Sequence, residues 1–391
     1  MPHPEPLLLE LFAIFVWAKV SGEIFEQLGL PAVVGEILAG VALGPYALRF
    51  ITPSSTTFSI AQLGAIFLLF TVGLETSPDE LIRVGRTSLR VSVAGVLAPF
   101  VLGFAYLRWL RGDATHEAIF VAAAMVATSV GIAARVMGDL RVLHTQVARI
   151  ILAAAVADDI LGMIVLAVVV GLASTAGIQW LQLGVLFVEA VAFTLFMVFL
   201  GSRVIRKMRP GVERLSSQNA PLTLALALCL GFSVAAERIG MAAIIGAFFA
   251  GLAFAEYSVE WKLAPRVGAI NEFLAPFFFF TMGSRLDLRV FEPGVIVACV
   301  VVTVLALIGK VVACGLPVLR EGWLSALEVG VGMTPRGEVA LIVALVGLQT
   351  KMMSPAAYGI VVFMTAATTL IAPPVLRYLF KKETQRLART T

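Results

Sequence analysis

The sequence predicts an all-α polytopic membrane protein with about thirteen transmembrane helices, and three observations indicate this fold class. Hydrophobic residues make up 60% of the chain and charged residues only 14%, with a mean hydropathy of +0.97. The apolar residues occur in blocks of about 20, the length that a helix needs to cross a bilayer. Apolar and polar residues do not alternate as they would in a membrane β-barrel, the other way to satisfy a backbone in lipid.

Short polar connections separate the apolar blocks and give the orientation of the chain. We expect spans at roughly 6–28, 31–49, 58–76, 88–110, 116–137, 146–174, 180–206, 219–237, 240–256, 266–285, 292–316, 322–349 and 355–380. Connections after odd-numbered spans hold more than twice as many Lys and Arg residues as the others. This bias predicts an external N-terminus and a cytoplasmic C-terminus. The net charge of +4 is spread between spans, so no nucleic-acid partner is expected.

The chain contains an internal repeat. Three pairs of segments are similar and occur in the same order: PAVVGEILAGVALGP (31–45) and AAIIGAFFAGLAFAE (242–256), FLLFTVGLE (67–75) and FFFFTMGSR (277–285), and MVATSVG (125–131) and GVGMTPRG (330–337). Spans two to six therefore correspond to spans nine to thirteen. Because the displacement is an odd number of spans, the second copy is inverted in the membrane. Inverted repeats, here of five helices each, are typical of secondary transporters.

Three ionisable side chains fall near the middle of predicted spans. Asp158 and Asp159 are adjacent in the sixth span, and Lys310 lies in the eleventh. An ionised carboxylate at this depth costs roughly 2.5–3.5 kcal/mol on insertion scales. Neighbouring helix residues point about 100° apart, so one aspartate can face a cavity while the other faces a neighbouring helix. A buried ammonium needs a partner, and the aspartates are the nearest class of partner. The alternatives are protonated acids that only join helices, and a lysine that reaches the membrane surface.

Two spans are interrupted at corresponding positions of the repeat. ATSVG (127–131) breaks the fifth span, and GMTPRGE (332–338) breaks the twelfth with Pro335 and Gly337. Matched broken helices in inverted halves indicate a substrate site near the middle of the membrane. The first break offers two neutral hydroxyls, Thr128 and Ser129; the second offers two charges that can neutralise helix ends, Arg336 and Glu338. A simple proline kink in the twelfth span is the alternative.

Hard monovalent cations such as sodium prefer oxygen ligands, and the two aspartates and two hydroxyls offer such a set. Asp159 and Asp158 are the predicted sodium ligands. A carboxylate binds either a proton or a cation, and this competition alone produces antiport if the site moves only when it is loaded. No catalytic residue and no cofactor are predicted, and the chain is not expected to be an enzyme.

The motifs of these segments resemble a known family. AVADDILGMIVL, VATSVGIAARV, LFTVGLET, LIGKVV and GVGMTPRGEVALIV together resemble the NapA-like sodium/proton antiporters of the bacterial monovalent cation:proton antiporter superfamily. The resemblance runs from the first span to the last. It implies a dimerisation domain and a mobile core domain with two broken crossing helices. The implied division is dimerisation domain 1–80 and 219–285, core domain 86–174 and 290–380, linker helix 180–207 and cytoplasmic tail 381–391.

The resemblance also implies residue roles. Asp159 is the main carrier of cation and proton, and Asp158 pairs with Lys310. Electroneutral relatives usually have Asn at the first aspartate, so Asp158 implies electrogenic exchange of two protons for one sodium. Glu75, in GLE at the end of span three, is a possible accessory residue or an ordinary charge at a span end. The residues at the two crossing points are Thr128, Ser129, Arg336 and Glu338.

The predicted function is secondary active exchange of protons for sodium or lithium across the bacterial inner membrane, by alternating access in a homodimer. A potassium/proton antiporter of the same superfamily and a sodium-coupled organic-anion symporter stay open as alternatives. Adjacent aspartates on one helix cannot clasp a peptide bond as an intramembrane aspartyl protease does, and they form no channel ring. On span one, Lys19 and Glu23 have the spacing of an i, i+4 pair.

Overall fold

The computed structural model describes residues 7–76, 78–173, 180–213, 219–286 and 295–390. The side chains of some residues inside these ranges, Glu338 among them, lie outside the description. Throughout the described ranges the regular structure is helical and contains no β-strand.

Helices follow one another along the described chain with short connections. Their bounds are α1 (Leu7–Gln27), α2 (Ala32–Leu43), α3 (Ser55–Leu74), α4 (Pro78–Ala105), α5 (Thr115–Ala124), α6 (Val130–Asp139), α7 (Gln146–Ala173), α8 (Trp180–Glu213), α9 (Ala220–Arg238), α10 (Ala243–Phe254), α11 (Leu263–Ser284), α12 (Ile296–Gly315), α13 (Trp323–Gly332), α14 (Glu338–Gln349) and α15 (Pro355–Thr390). A π-helical turn, Tyr106–Arg111, extends α4, and a 3₁₀ turn, Leu316–Glu321, extends α12.

Every predicted span contains one helix, except the fifth and the twelfth, which each contain two. Within the described residues, five stretches are long and apolar enough to cross a membrane by length and composition: Ser55–Leu74, Arg83–Arg111, Ala220–Arg238, Ile296–Glu321 and Pro355–Lys381. Helix α15 continues to Thr390, through most of the predicted tail. The segment 381–390 contains neither Gly nor Pro, so nothing in it ends the helix.

The helices pack in two groups. In one group, α2 packs against α1 and α11, and α3 packs against α10 and α11; in the other, α4 packs against α7 and α12, and α12 packs against α13 and α15. The broken helices belong to the second group and meet the first where α6 contacts α3 and α2. The site described below lies along this boundary.

Glycines let two helix pairs of the first group touch through their backbones. A methyl group on Gly40 of α2 would overlap the Phe280 carbonyl of α11, and one on Gly251 of α10 would overlap the Phe70 carbonyl of α3. Gly40 and Gly251 occupy matching positions of the sequence repeat. The pair α2–α11 is therefore built in the same way as the pair α10–α3.

Candidate functional site

The two broken spans cross at their unwound segments. These segments, 125–129 and 333–337, separate α5 from α6 and α13 from α14. The backbone N–H of Ser129 donates a hydrogen bond of 2.7 Å to the carbonyl of Pro335. The two unwound segments are therefore in direct backbone contact, inside an otherwise helical bundle.

The sequence of the second segment explains why its chain unwinds and lies so close. Pro335 disfavours a helical conformation at Thr334, the residue before it. A methyl group on Gly337 would lie 2.9 Å from Oγ and 3.0 Å from Cβ of Ser129, closer than a side chain tolerates. Glycine at this position therefore lets the two segments cross in contact.

Arg336 fills the space beside the crossing and is fully buried. Its guanidinium donates to the Met125 carbonyl from Nη2 at 2.6 Å and from Nε at 3.2 Å, to the Ala306 carbonyl at 3.2 Å and to the Thr334 carbonyl at 2.5 Å. The hydroxyl of Thr369 donates to the backbone carbonyl of Arg336. The last carbonyls of a helix have no partner within the helix and carry a partial negative charge. Arg336 supplies both a donor and a positive charge at the end of α5.

Lys310 of α12 and Asp158 of α7 form a fully enclosed ion pair. Nζ of Lys310 lies 3.1 Å from each carboxylate oxygen of Asp158, and the two side chains are 0% and 1% exposed. The ammonium also donates to Oγ1 of Thr128 at 2.8 Å. That hydroxyl in turn donates to the Met333 carbonyl at 3.3 Å. The pair is thereby connected to both unwound segments.

Asp159 points to a different place from its neighbour. It lines a small cavity of about 30 Å³ together with Thr128, Ser129 and Gly337 at the crossing. The difference follows from helix geometry, since adjacent residues project about 100° apart. α7 therefore presents one aspartate to the lysine and the other to a space bordered by hydroxyls.

A larger cavity of about 390 Å³ adjoins this space. Its polar lining includes Arg285, Gln62 and Glu237, and Nε2 of Gln62 donates to Glu237 at 2.8 Å. The residues that line both cavities are Ala65, Ala242, Ile244, Phe278 and Val339. The cavity borders the first half of α3, at the end of the bundle that carries the α2–α3 connection. It leads from that end towards Asp159.

Two predicted residues, the possible accessory residue Glu75 and the charge-compensating Glu338, are not placed at the crossing by any described contact. Glu75 is an exposed residue at the C-terminal end of α3, and it lines neither cavity. Glu338 is the first residue of α14, and its side chain lies outside the described residues.

Charged residues at the other end of the boundary were missed by the sequence analysis. Glu36 of α2 is only 1% exposed, and Arg135 of α6 is one of the cations whose field acts on it. Nε of Arg135 lies 3.2 Å from Oδ1 of Asp139. Arg377 of α15 donates to the carbonyl of Leu30, which lies between α1 and α2. The bond from Arg377 links α15 of the second helix group to the first group. Glu36 could have been recognised from the sequence, because it is the single acid in the apolar run VVGEILAG.

Lys19 and Glu23, which have the spacing of an i, i+4 pair, do not bind each other in the structure. Nζ of Lys19 contacts Glu272 of α11 at 2.9 Å, while Glu23 accepts a hydrogen bond of 2.9 Å from Gln27. Spacing along α1 could not reveal that α11 places an acid nearer to the lysine.

Residues 11–382 match the model of a family described as "Sodium/hydrogen exchanger, transmembrane". The chain belongs to this family. It is therefore a multi-pass membrane protein of a transporter family. Among sodium/hydrogen exchanger relatives, the high-affinity Na⁺/H⁺ antiporter NhaS3 of Synechocystis sp. is 34% identical, with 96% of this chain and 90% of that protein aligned.

A second relative and a solved structure agree with this assignment. A Na⁺/H⁺ antiporter of Enterococcus hirae is 31% identical, with 95% of this chain and 97% of that protein aligned. The sodium proton antiporter MjNhaP1 from Methanocaldococcus jannaschii matches with a TM-score of 0.73 over 98% of both chains, at 17% identity. At that identity, the structural likeness supports the fold alone.

Proposed function

We propose that this sodium/hydrogen exchanger moves sodium or lithium in exchange for protons by alternating access, with Asp159 as the carrier. The observation that carries the proposal is the position of Asp159, in a cavity at the crossing that adjoins a larger one. The acid shares this cavity with the Thr128 and Ser129 hydroxyls, the oxygen ligands that a hard cation prefers.

Competition at one carboxylate gives the exchange. Asp159 holds a proton or a cation, and the empty carboxylate is the state least compatible with movement through an apolar boundary. A loaded site is therefore the one that changes its access from one side to the other. Sodium that enters from one side is replaced by a proton from the opposite side.

The buried pair adds a second charge to the cycle. When a cation occupies the site, its field weakens the hold of Asp158 on the Lys310 ammonium. The second proton then binds Asp158: both aspartates are protonated in the proton-loaded half of the cycle and neither is in the sodium-loaded half, while the displaced ammonium keeps its charge. We infer electrogenic exchange, two protons for one sodium.

The two helix groups correspond to the moving parts that this cycle needs. We infer thirteen spans in two inverted five-helix repeats, because matching glycines build the α2–α11 and α10–α3 contacts alike. The core domain then comprises 86–174 and 290–380, and the dimerisation domain comprises 1–80 and 219–285, with 180–207 as linker. We further propose a homodimer in the bacterial inner membrane with the N-terminus outside, acting without a cofactor.

The test is ion-driven proton movement in proteoliposomes, with sodium, lithium and potassium added in turn. We expect sodium or lithium to dissipate an imposed pH gradient, and Asp159→Asn to abolish this response. Asp113→Asn is the matched control, since Asp113 pairs with Arg111 at 3.1 Å in a connection away from the cavity. A response to potassium alone would favour potassium/proton exchange, and full activity of Asp159→Asn would remove the proposed carrier.

A further inference from the structure

The Lys310 ammonium has no unused donor and no contact with solvent. Its three N–H groups have three acceptors, Oγ1 of Thr128 and the two carboxylate oxygens of Asp158. The side chain is 0% exposed. An ammonium that leaves a carboxylate inside such a site needs another acceptor, because an unpaired buried charge is very costly. The acceptor must come from a neighbouring helix.

Helix α4 forms the wall behind this ammonium. A methyl group on Gly95 of α4 would lie 3.3 Å from Nζ of Lys310 and 2.6 Å from Sγ of Cys314. The Cys314 thiol donates to the Val91 carbonyl, with sulfur and oxygen 3.6 Å apart. Lys310 and Cys314, one turn apart on α12, thus face Val91 and Gly95, one turn apart on α4. No side chain of α4 stands between the ammonium and the α4 backbone at Gly95.

A proline changes the hydrogen bonding of that backbone. Pro99 lies inside α4, four residues after Gly95, and both residues are buried. Proline has no N–H, so the Gly95 carbonyl lacks the donor that an α-helix would give it. α12 packs along this same turn, because a methyl group on Gly309 would lie 3.6 Å from N and Cα of Pro99. The Gly95 carbonyl, which lacks its helical donor because of Pro99, therefore lies on the face of α4 that is in contact with the ammonium.

We propose that the helical turn Gly95–Pro99 is a second acceptor position for the Lys310 ammonium, which it occupies when the transported cation displaces it from Asp158. This inference rests on the proposed exchange. Gly95 and Pro99 are positioning residues, because their proposed role requires no contact with sodium or Asp159 and acts through Lys310. Stabilising the displaced ammonium makes it easier for the cation to bind.

The decisive variant is Pro99→Ala, which returns an N–H to the Gly95 carbonyl. Removing a proline from a helix interior stabilises the helix, so we expect a higher melting temperature in detergent. The apparent KM for sodium is nevertheless expected to rise about ten-fold with the maximal rate retained, the effect of losing one hydrogen bond to a charged group. A structural role for Pro99 as a bend would not combine higher stability with weaker sodium affinity.

A second pair of variants keeps the proposal falsifiable if Pro99→Ala does not fold. Gly95→Ala places a methyl group where the displaced ammonium would bind. Cys314→Ala removes the sulfur atom that this methyl group would approach most closely. The double variant should recover the wild-type melting temperature and keep the raised KM. Gly85→Ala is the control on the same helix, because no atom lies within 4 Å of its added methyl group.

The outcomes separate this inference from the proposed exchange. Loss of sodium-driven proton movement in the wild type would overturn the exchange itself. An active wild type with an unchanged sodium KM in both Pro99→Ala and the double variant would overturn the acceptor position alone. Full recovery of KM in the double variant would show that Gly95 serves packing and would equally overturn it.

Discussion

The two broken helices share a backbone design and differ in chemistry. Each has an unwound segment between two short helices, and the segments touch through the N–H of Ser129 and the carbonyl of Pro335. The first segment carries neutral hydroxyls that face the small cavity. The second carries Arg336, whose donors are directed to backbone carbonyls, including that of Met125 in the first segment.

This difference indicates that the two unwound segments have different roles. A permanent positive charge on both sides of the crossing would repel a cation, and no charge on either side would leave helix ends uncompensated. Arg336 serves the helix ends from the side away from the hydroxyls. The first segment is then left to offer oxygens beside Asp159. Substitutions in the second segment should therefore damage the framework, and those in the first should change ion affinity.

The largest effect is expected from Arg336→Met, which keeps the volume and removes every donor. The carbonyls of Met125 and Thr334 would lose their donor in a buried site, while that of Ala306 lies inside α12 and keeps its helical donor. Each unsatisfied buried group costs about 1–3 kcal/mol, so we expect a total loss of about 2 kcal/mol or more. Thermal unfolding of the purified protein measures it.

The control for this prediction is Arg285→Met. Arg285 is exposed and lies over the ring of Phe58 at 4.6 Å, so its loss should lower the melting temperature only slightly. Equal melting temperatures for the two variants would contradict the framework role of Arg336.

A smaller effect is expected from Gly337→Ala, which separates the two segments without removing a charge. The added methyl group would press on Ser129, at 2.9 Å from Oγ. Displacing a site by a fraction of an ångström to 1 Å lowers rates by about ten-fold or more. Sodium-driven proton movement measures the loss, and Ser129→Ala in the same chain should restore part of it.

Gly138→Ala, in α6 after the first unwound segment, is the glycine control. Its added methyl group would meet only Cδ1 of Leu143, at an ordinary 3.9 Å. If Gly337→Ala transports as fast as Gly138→Ala, contact between the two segments is not needed for exchange.

The smallest effects are expected from the hydroxyls of the first segment. Thr128→Val removes an acceptor of Lys310 and a donor to Met333. Because one N–H of the buried ammonium is left without an acceptor, the free energy of unfolding should fall by about 1 kcal/mol and the sodium KM should change about five-fold. Ser129→Ala keeps the backbone N–H that makes the crossing bond and should change KM less. A larger change in sodium KM in Ser129→Ala than in Thr128→Val would contradict this prediction.

Composition and local chemistry predicted much of this fold. Apolar length located the helices, and Pro335 with Gly337 located the second break because their backbone preferences are local. A contact between Lys310 and one of the two aspartates was expected from the shortage of other partners at membrane depth, and the family resemblance implied that the partner is Asp158. These features depend on residues whose environment the sequence itself defines.

Contacts between the two helix groups could not be predicted in this way. Glu36 and Arg135 lie far apart in the chain, and span-by-span reading does not tell which helix faces meet. For the same reason, the spacing of Lys19 and Glu23 gave no sign of the contact between Lys19 and Glu272. The acceptor role of Gly95 could be identified only from the structure, because the effect of Pro99 depends on which side chain α12 places beside it.

Proton release on sodium binding tests the central claim most directly, because it needs neither a membrane nor turnover. Sodium is added to the purified wild type, Asp159→Asn and Asp113→Asn in a weakly buffered detergent solution over a range of pH. The account predicts saturable proton release from the wild type and Asp113→Asn, and an apparent sodium affinity that falls as the pH falls, since protons occupy the carboxylate. Asp159→Asn should bind sodium weakly and release no proton. Equal proton release from Asp159→Asn and the wild type would contradict the account, because the exchanged proton would then belong to another group.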